Sequence, residues 1–239
     1  MARKTDYGQF CPIAMTAEIL AVRWTPLVIR ELLMGSHRFS DLQKGLPLMS
    51  PSLLSTRLRE LEFAGIVERQ PAENGKGHDY FLSQGGQELR PIIEAFGLWS
   101  QKWLDHEYTE EHLDPSLLMW DIRRNVDCRF MPDDKRVVVE FELHGYKSKQ
   151  KRWWLMFEDG EADLCNKDPG YEIDLYVKAH IRDLTEVWMG RRRLGDATRD
   201  GSLKLEGDLR QVRNFPKWFS LSMYAQTAPQ TNPLAAARA

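Results

Sequence analysis

The sequence predicts an α+β protein in two parts: a mainly helical first half carrying one β-hairpin, then a mixed α/β half of sheet and helices. Three observations lead there. Apolar residues before the middle of the chain recur at helical spacing, as in Leu54, Leu58 and Leu61, or Leu89, Ile93 and Phe96. Later residues form strand-like runs, Arg136 to Leu143 and Arg152 to Phe157. Between them the stretch from His106 to His112 is polar and reads as a boundary. The expected division is a first domain over 1–106, a linker over 107–116, a second domain over 117–225 and a flexible tail over 226–239.

In the first half, Pro12 to Val22 reads as one helix and Pro26 to Met34 as a second, which Gly35 ends. Ser40 is expected to cap a short third helix through Lys44, stopped by Gly45. Ser50 caps a fourth, with Pro51 at its first position, and Gly65 terminates it after Ala64. Ile66–Gln70 and His78–Leu82 read as strands joined by a polar, glycine-bearing loop, hence a hairpin. Ser83 opens a last helix with apolar Leu89, Ile92, Ile93, Phe96, Trp99 and Trp103. Pro91 within it predicts a kink or a later true start. In the second half the expected strands are Asn125–Met131, Val137–Leu143, Arg152–Phe157, Glu161–Cys165 and Glu172–Ala179. Helices Ile181–Met189 and Leu194–Thr198, strand Ser202–Glu206 and helix Leu209–Phe215 complete it.

Length and composition narrow the class. The 239 residues suffice for two small cores, and 42% hydrophobic with 28% charged residues is ordinary for a soluble globular chain. No apolar run is long enough to span a membrane, and Met1-Ala2-Arg3-Lys4-Thr5-Asp6 leads into no apolar segment of the secretory kind. Three distant cysteines, Cys11, Cys128 and Cys165, argue against a disulfide framework. The expectation is a cytoplasmic protein with no membrane partner. The net charge of −2 shows no global excess of basic residues, so any nucleic-acid contact has to come from a local basic surface.

Two short helices, Ser40–Lys44 and Ser50–Ala64, joined through Leu46-Pro47-Leu48-Met49 and followed by a hairpin, are the parts of a winged helix-turn-helix. Its partner is double-stranded DNA. With Leu54, Leu58 and Leu61 buried, the opposite face of the second helix carries Ser52, Thr56 and Arg59, with Ser55 beside it. Short polar groups and an arginine suit base edges and nearby phosphates. Arg57, at the flank of the apolar stripe, is expected at phosphate, as are Arg38 and Lys76. Ser40, Ser50 and Pro51, at the helix starts, complete the expected DNA-binding set. Taken alone, Ser50–Ala64 reads as an ordinary amphipathic helix with a solvated face; the order of elements favours the DNA reading.

Residues 11 to 103 resemble the HxlR-type regulators, relatives of the MarR group. The resemblance is carried by Cys11-Pro12-Ile13 and Trp24-Thr25-Pro26-Leu27-Val28-Ile29-Arg30-Glu31-Leu32. It continues in Gly35-Ser36-His37-Arg38-Phe39-Ser40-Asp41-Leu42, Ser50 to Glu62, Gly65-Ile66-Val67-Glu68-Arg69 and Asp79-Tyr80-Phe81-Leu82-Ser83. It implies a homodimer built on the first and last helices of the domain and a pseudo-palindromic operator; the leading functional reading is a repressor, with activation left open. It also implies that Cys11, just before a helix N-terminus that favours a thiolate, senses oxidants or electrophiles. The other reading of Cys11 is a small buried residue at the dimer contact.

The second half resembles the sterol carrier protein type-two-like fold. Asp174-Leu175-Tyr176-Val177, Leu184, Val187-Trp188-Met189-Gly190 and Asp200 to Asp208 carry that likeness. It implies an apolar ligand, which would act as an effector, with Trp153, Leu155 and Phe157 as the expected pocket wall. Trp154 and Met156 on the opposite face of that strand fit a strand covered on both sides equally well. No Cys-x-x-Cys pair, His-Glu-x-x-His, phosphate loop or nucleophile elbow is present, so no enzyme, cofactor or metal is expected. His106 and His112 with Glu110 and Glu111 read as a polar linker. The competing function is a lipid or apolar small-molecule carrier whose helical half serves only dimerisation.

Overall fold

Pro12 and Pro26 each stand in the first turn of a helix, α1 (Pro12–Leu20) and α2 (Thr25–Leu33), where a missing N–H forfeits no hydrogen bond. Both helices end earlier than the sequence suggests. The corner between them is made by Trp24 in a left-handed conformation, φ 77°, an unusual setting for a bulky residue. The computed structural model describes residues 7–72, 75, 77–104, 108–132 and 134–225. The chain divides between Gly97 and Leu98 into two units, and the fold is α+β.

The first unit continues with α3 (Phe39–Gly45), α4 (Pro51–Phe63), the hairpin β1 (Val67–Pro71) and β2 (His78–Leu82), then α5 (Gln84–Gln87) and the start of α6 (Arg90–Trp103). Ser40 does not cap α3. The helix opens two residues earlier, from an extended Arg38 whose carbonyl accepts the N–H groups of Asp41 and Leu42. The cause is tertiary: Arg38 bridges to Asp79 of β2, which holds it extended. Ser50 caps α4 as expected, its hydroxyl accepting from the Leu53 N–H at 3.3 Å. The helix expected from Ser83 is two: Ser83 caps the single turn of α5, and α6 starts afresh with Pro91 in its first turn. Leu54, Leu58 and Leu61 of α4 are buried with Val28, Ile29 and Leu42. Each such side chain contributes about 1.5–3 kcal/mol of burial.

The second unit opens, after α6, with α7 (Pro115–Asn125), where a strand was expected only from Asn125. Asp114 accepts the N–H groups of Ser116 and Leu117, Pro115 takes the first position, and Leu118, Met119 and Ile122 face inward. Asn125–Met131 is therefore not a strand: α7 ends at Asn125, and residues 128–130 form a single turn capped by Asp127. The sheet comprises β3 (Val137–His144), β4 (Arg152–Glu158), β5 (Glu161–Cys165), β6 (Leu175–His180) and β7 (Leu203–Gly207), in the order β5-β4-β3-β6-β7. Only β3 and β6 run parallel; the remaining pairs are antiparallel. α8 (Ile181–Trp188) and α9 (Leu194–Arg199) lie between β6 and β7, and α10 (Leu209–Trp218) follows.

One face of this sheet and the inward faces of α7, α8 and α10 share a single core. Trp153, Leu155 and Phe157 belong to it and are almost completely buried, Phe157 meeting Trp218 edge-on at 5.1 Å. They belong to the core and do not line the groove described below. The helices cover this face of β4 with aromatic side chains, Trp218 of α10 among them. Among the described residues, no single helix is long and apolar enough to cross a membrane.

Candidate nucleic-acid interface

α4 presents two unlike faces. The buried stripe turns Leu54, Leu58 and Leu61 inward, so Pro51, Ser52, Ser55 and Arg59 are exposed and Thr56 is half-buried. Local hydrogen bonds organise the exposed side. The Ser50 and Ser52 hydroxyls lie 3.2 Å apart, the Thr56 hydroxyl donates to the Ser52 carbonyl at 3.0 Å, and Arg59 reaches the Thr56 hydroxyl at 3.4 Å. The last contact is long, so the guanidinium is free to turn to a better acceptor. A serine-rich helix start with an arginine two turns on combines N–H groups suited to phosphate with a fork suited to a guanine edge.

The other expected residues divide. Arg38 is exposed at the foot of the hairpin, and Ser40 is exposed on the first turn of α3. Lys76 lies outside the described residues. Arg57 points the other way: it is 8% exposed, its Nε donates to the Arg23 carbonyl at 3.1 Å, and its guanidinium pairs with Glu60. It ties α4 to the corner between α1 and α2. The helical angle offered a warning, since position 57 falls at the edge of the arc spanned by 54, 58 and 61.

Arg69 and His78, missed in the sequence, are both exposed on the hairpin, with Arg69 donating to the His78 ring at 2.9 Å. The polar run Glu68-Arg69-Gln70 in the first strand of the hairpin is the signal that would have found Arg69. Behind the helix pair, the Arg30–Glu31 ion pair sits against Gly45, where a Cβ would overlap the Glu31 carboxylate. Only glycine lets α3 approach α2 this closely. Among the described residues, no group of three or more His, Cys, Asp or Glu is placed to hold a metal.

A three-helix core, a capped second helix and a paired hairpin define a winged helix-turn-helix protein of the transcription-regulator class. Residues 19–108 match the model of the HxlR-like helix-turn-helix family, and residues 135–220 match that of the SCP-2 sterol transfer family. The HTH-type transcriptional regulator YvaP of Bacillus subtilis, itself uncharacterized, is 36% identical over 107 residues, which are 44% of this chain and 99% of YvaP. A second uncharacterized regulator, sll1512 of Synechocystis, is 36% identical over 106 residues, 44% of this chain and 78% of its own. Among solved structures, the reduced form of the transcriptional regulator YodB from B. subtilis is 31% identical. That match covers 41% of this chain and 97% of YodB at a TM-score of 0.36. This chain belongs to the HxlR-like helix-turn-helix family and carries an SCP-2 sterol transfer domain in its second half.

Proposed function

We propose that the protein is a sequence-specific regulator that binds double-stranded DNA as a homodimer, acts as a repressor, and takes an apolar effector in its second domain. The observation that carries the DNA reading is the exposed Ser52, Ser55 and Arg59 side of α4, backed by a fully buried leucine stripe. Arg59 reads a base edge; Arg38, Ser40 and the Ser50–Pro51 start of the helix contact backbone phosphate and fix the register. Arg57 drops out of this set because its guanidinium is committed inside the protein.

The homodimer rests on α6, whose Ile92, Phe96 and Trp99 recur one turn apart and are 39%, 52% and 53% exposed. An apolar row of this kind favours a partner surface over water. Cys11 is proposed as a sensor of oxidants or electrophiles: it is half-buried and occupies the cap position of α1.

The apolar effector is assigned to a groove of about 800 Å³ between α9, β7 and α10, not to Trp153, Leu155 and Phe157. Leu194, Leu203, Leu205, Val212 and Pro216 form its wall, with Arg213 at the rim. The same groove supports the second reading, an apolar carrier whose helical half only dimerises.

Fluorescence anisotropy with the gene's own upstream DNA separates the two. The regulator reading expects a preference over scrambled DNA of at least ~10³ and an affinity that falls steeply with salt. Weak binding indifferent to sequence, with an apolar molecule co-purifying, would favour the carrier.

A further inference from the structure

The surface of α10 divides three ways. Gln211, Phe215 and Trp218 face the core and are buried. Val212 and Pro216 form one wall of the apolar groove, and Leu209, next round the helix, is 71% exposed. The remaining arc carries Arg213, Lys217 and Arg210, all exposed. The helix bears these three cations and no carboxylate.

The positive face is not neutralised by its surroundings. Among the described residues Arg210 and Arg213 make no ion pair, and the Lys217 ammonium donates to Asn214 Oδ1 at 3.2 Å. Two segments pack against the helix, β7 and the turn at 128–130, and their carboxylates are matched already. Glu206 of β7 pairs with Lys178 at 2.9 Å, and Asp127, the cap of the turn, with Arg129 at 2.7 Å. Asp196 of α9, across the groove, pairs with Arg199 at 2.9 Å. Asp208 turns one oxygen to the N–H groups of Arg210 and Gln211. Lys204, directly opposed to Lys178 in register, adds a further cation at the groove. Over α10, its cap and the two segments, Arg129, Lys204, Arg210, Arg213 and Lys217 thus stand against Glu206, Asp127 and Asp208. The whole chain has a net charge of −2, so attraction to an anionic surface has to come from a local face such as this one.

The apolar neighbours decide which anionic surface fits. A nucleic acid offers phosphates but nothing to match an exposed leucine beside an apolar groove. A phospholipid layer matches both, its phosphates meeting the cations and its acyl chains the apolar side chains. We propose that the outer face of α10 docks on an anionic phospholipid surface. Arg210, Arg213 and Lys217 lie at the headgroups and Leu209 reaches the first chain carbons, so that the groove meets its source of apolar ligand. The choice of lipid over nucleic acid rests on the apolar reading of the groove. The contact is peripheral and needs no membrane-spanning helix.

Co-sedimentation of the full chain with vesicles, without DNA, tests the docking. Vesicles of phosphatidylcholine alone are compared with vesicles that also contain phosphatidylglycerol, at several salt concentrations. Binding is expected on the anionic vesicles only, weakening as salt rises. Arg210→Gln with Arg213→Gln and Lys217→Gln should lower the affinity about fivefold per charge removed, on the order of a hundredfold together. Leu209→Ser should lower it about tenfold and keep the salt dependence. Lys147→Gln with Lys149→Gln, exposed on the loop between β3 and β4, should leave it unchanged. Undiminished binding in the triple variant, an equal loss in the loop variant, or no preference for anionic vesicles overturns the proposal. So does a triple variant that keeps its vesicle affinity but loses affinity for unrelated duplex DNA, which would make the face a nucleic-acid contact. No apolar ligand enters this readout, so a failure to dock is distinct from a groove that takes no ligand. All the substituted side chains are exposed, and an unchanged thermal midpoint reports that each variant keeps the fold.

Discussion

Arg59 projects into solvent beside Thr56, whereas Arg57, two residues earlier, is buried against the Arg23 carbonyl and Glu60. Their variants should therefore fail differently. Arg59→Ala is expected to keep its melting temperature and to lose about 1–3 kcal/mol of preference for the specific site, measured as the ratio of specific to scrambled affinity. Arg57→Ala leaves the Arg23 carbonyl without its donor and should cost about 1–3 kcal/mol of stability. Thermal unfolding detects it; unchanged melting would mean that Arg57 is not committed inside. Cys11 is tested by treating the DNA complex with diamide or a quinone. Release from DNA is expected in the wild type and absent in Cys11→Ser, and an equal response in the variant would remove Cys11 from the mechanism.

Among the elements, α6 separates folding from association. Ile93 of this helix is buried in the first core, while Phe96 and Trp99 are exposed. Phe96→Glu with Trp99→Glu should leave helical content intact and shift sedimentation from dimer to monomer, with DNA affinity falling because two half-sites are no longer joined. A dimer that survives both changes would place the interface elsewhere. How legible an element was depended on how local its causes were. The start of α4 was readable because Ser50, Pro51 and the Leu53 N–H lie within four residues. The start of α3 was not, because Arg38 is held extended by Asp79, far along the chain in β2. α7 was legible in principle, through Asp114-Pro115 and inward Leu118, Met119 and Ile122, but a polar stretch before it read as linker.

For the whole molecule, the two hydrophobic clusters share no residue and belong to separate units. Calorimetry of the full chain is expected to show more than one transition, and an apolar ligand in the α9–β7–α10 groove should raise only the transition of the second unit. A single two-state transition, unchanged by ligand, would mean that the units unfold together and that the groove is not a ligand site.

The candidate site was legible to the extent that it sits on one amphipathic helix. Ser52, Ser55, Thr56 and Arg59 follow from the 3.6-residue repeat once the leucines are set inward. By itself the sequence determined the helix-turn-helix order, the hairpin, the strand character of β3, β4 and β6, and the polar row of α4, all products of interactions between near neighbours. The tertiary structure decided the rest: that Arg57 turns inward, that Trp153, Leu155 and Phe157 are core, and that Lys178 meets Lys204. Burial and strand register depend on which distant segment packs opposite, and a side chain's own neighbours in sequence carry no record of that.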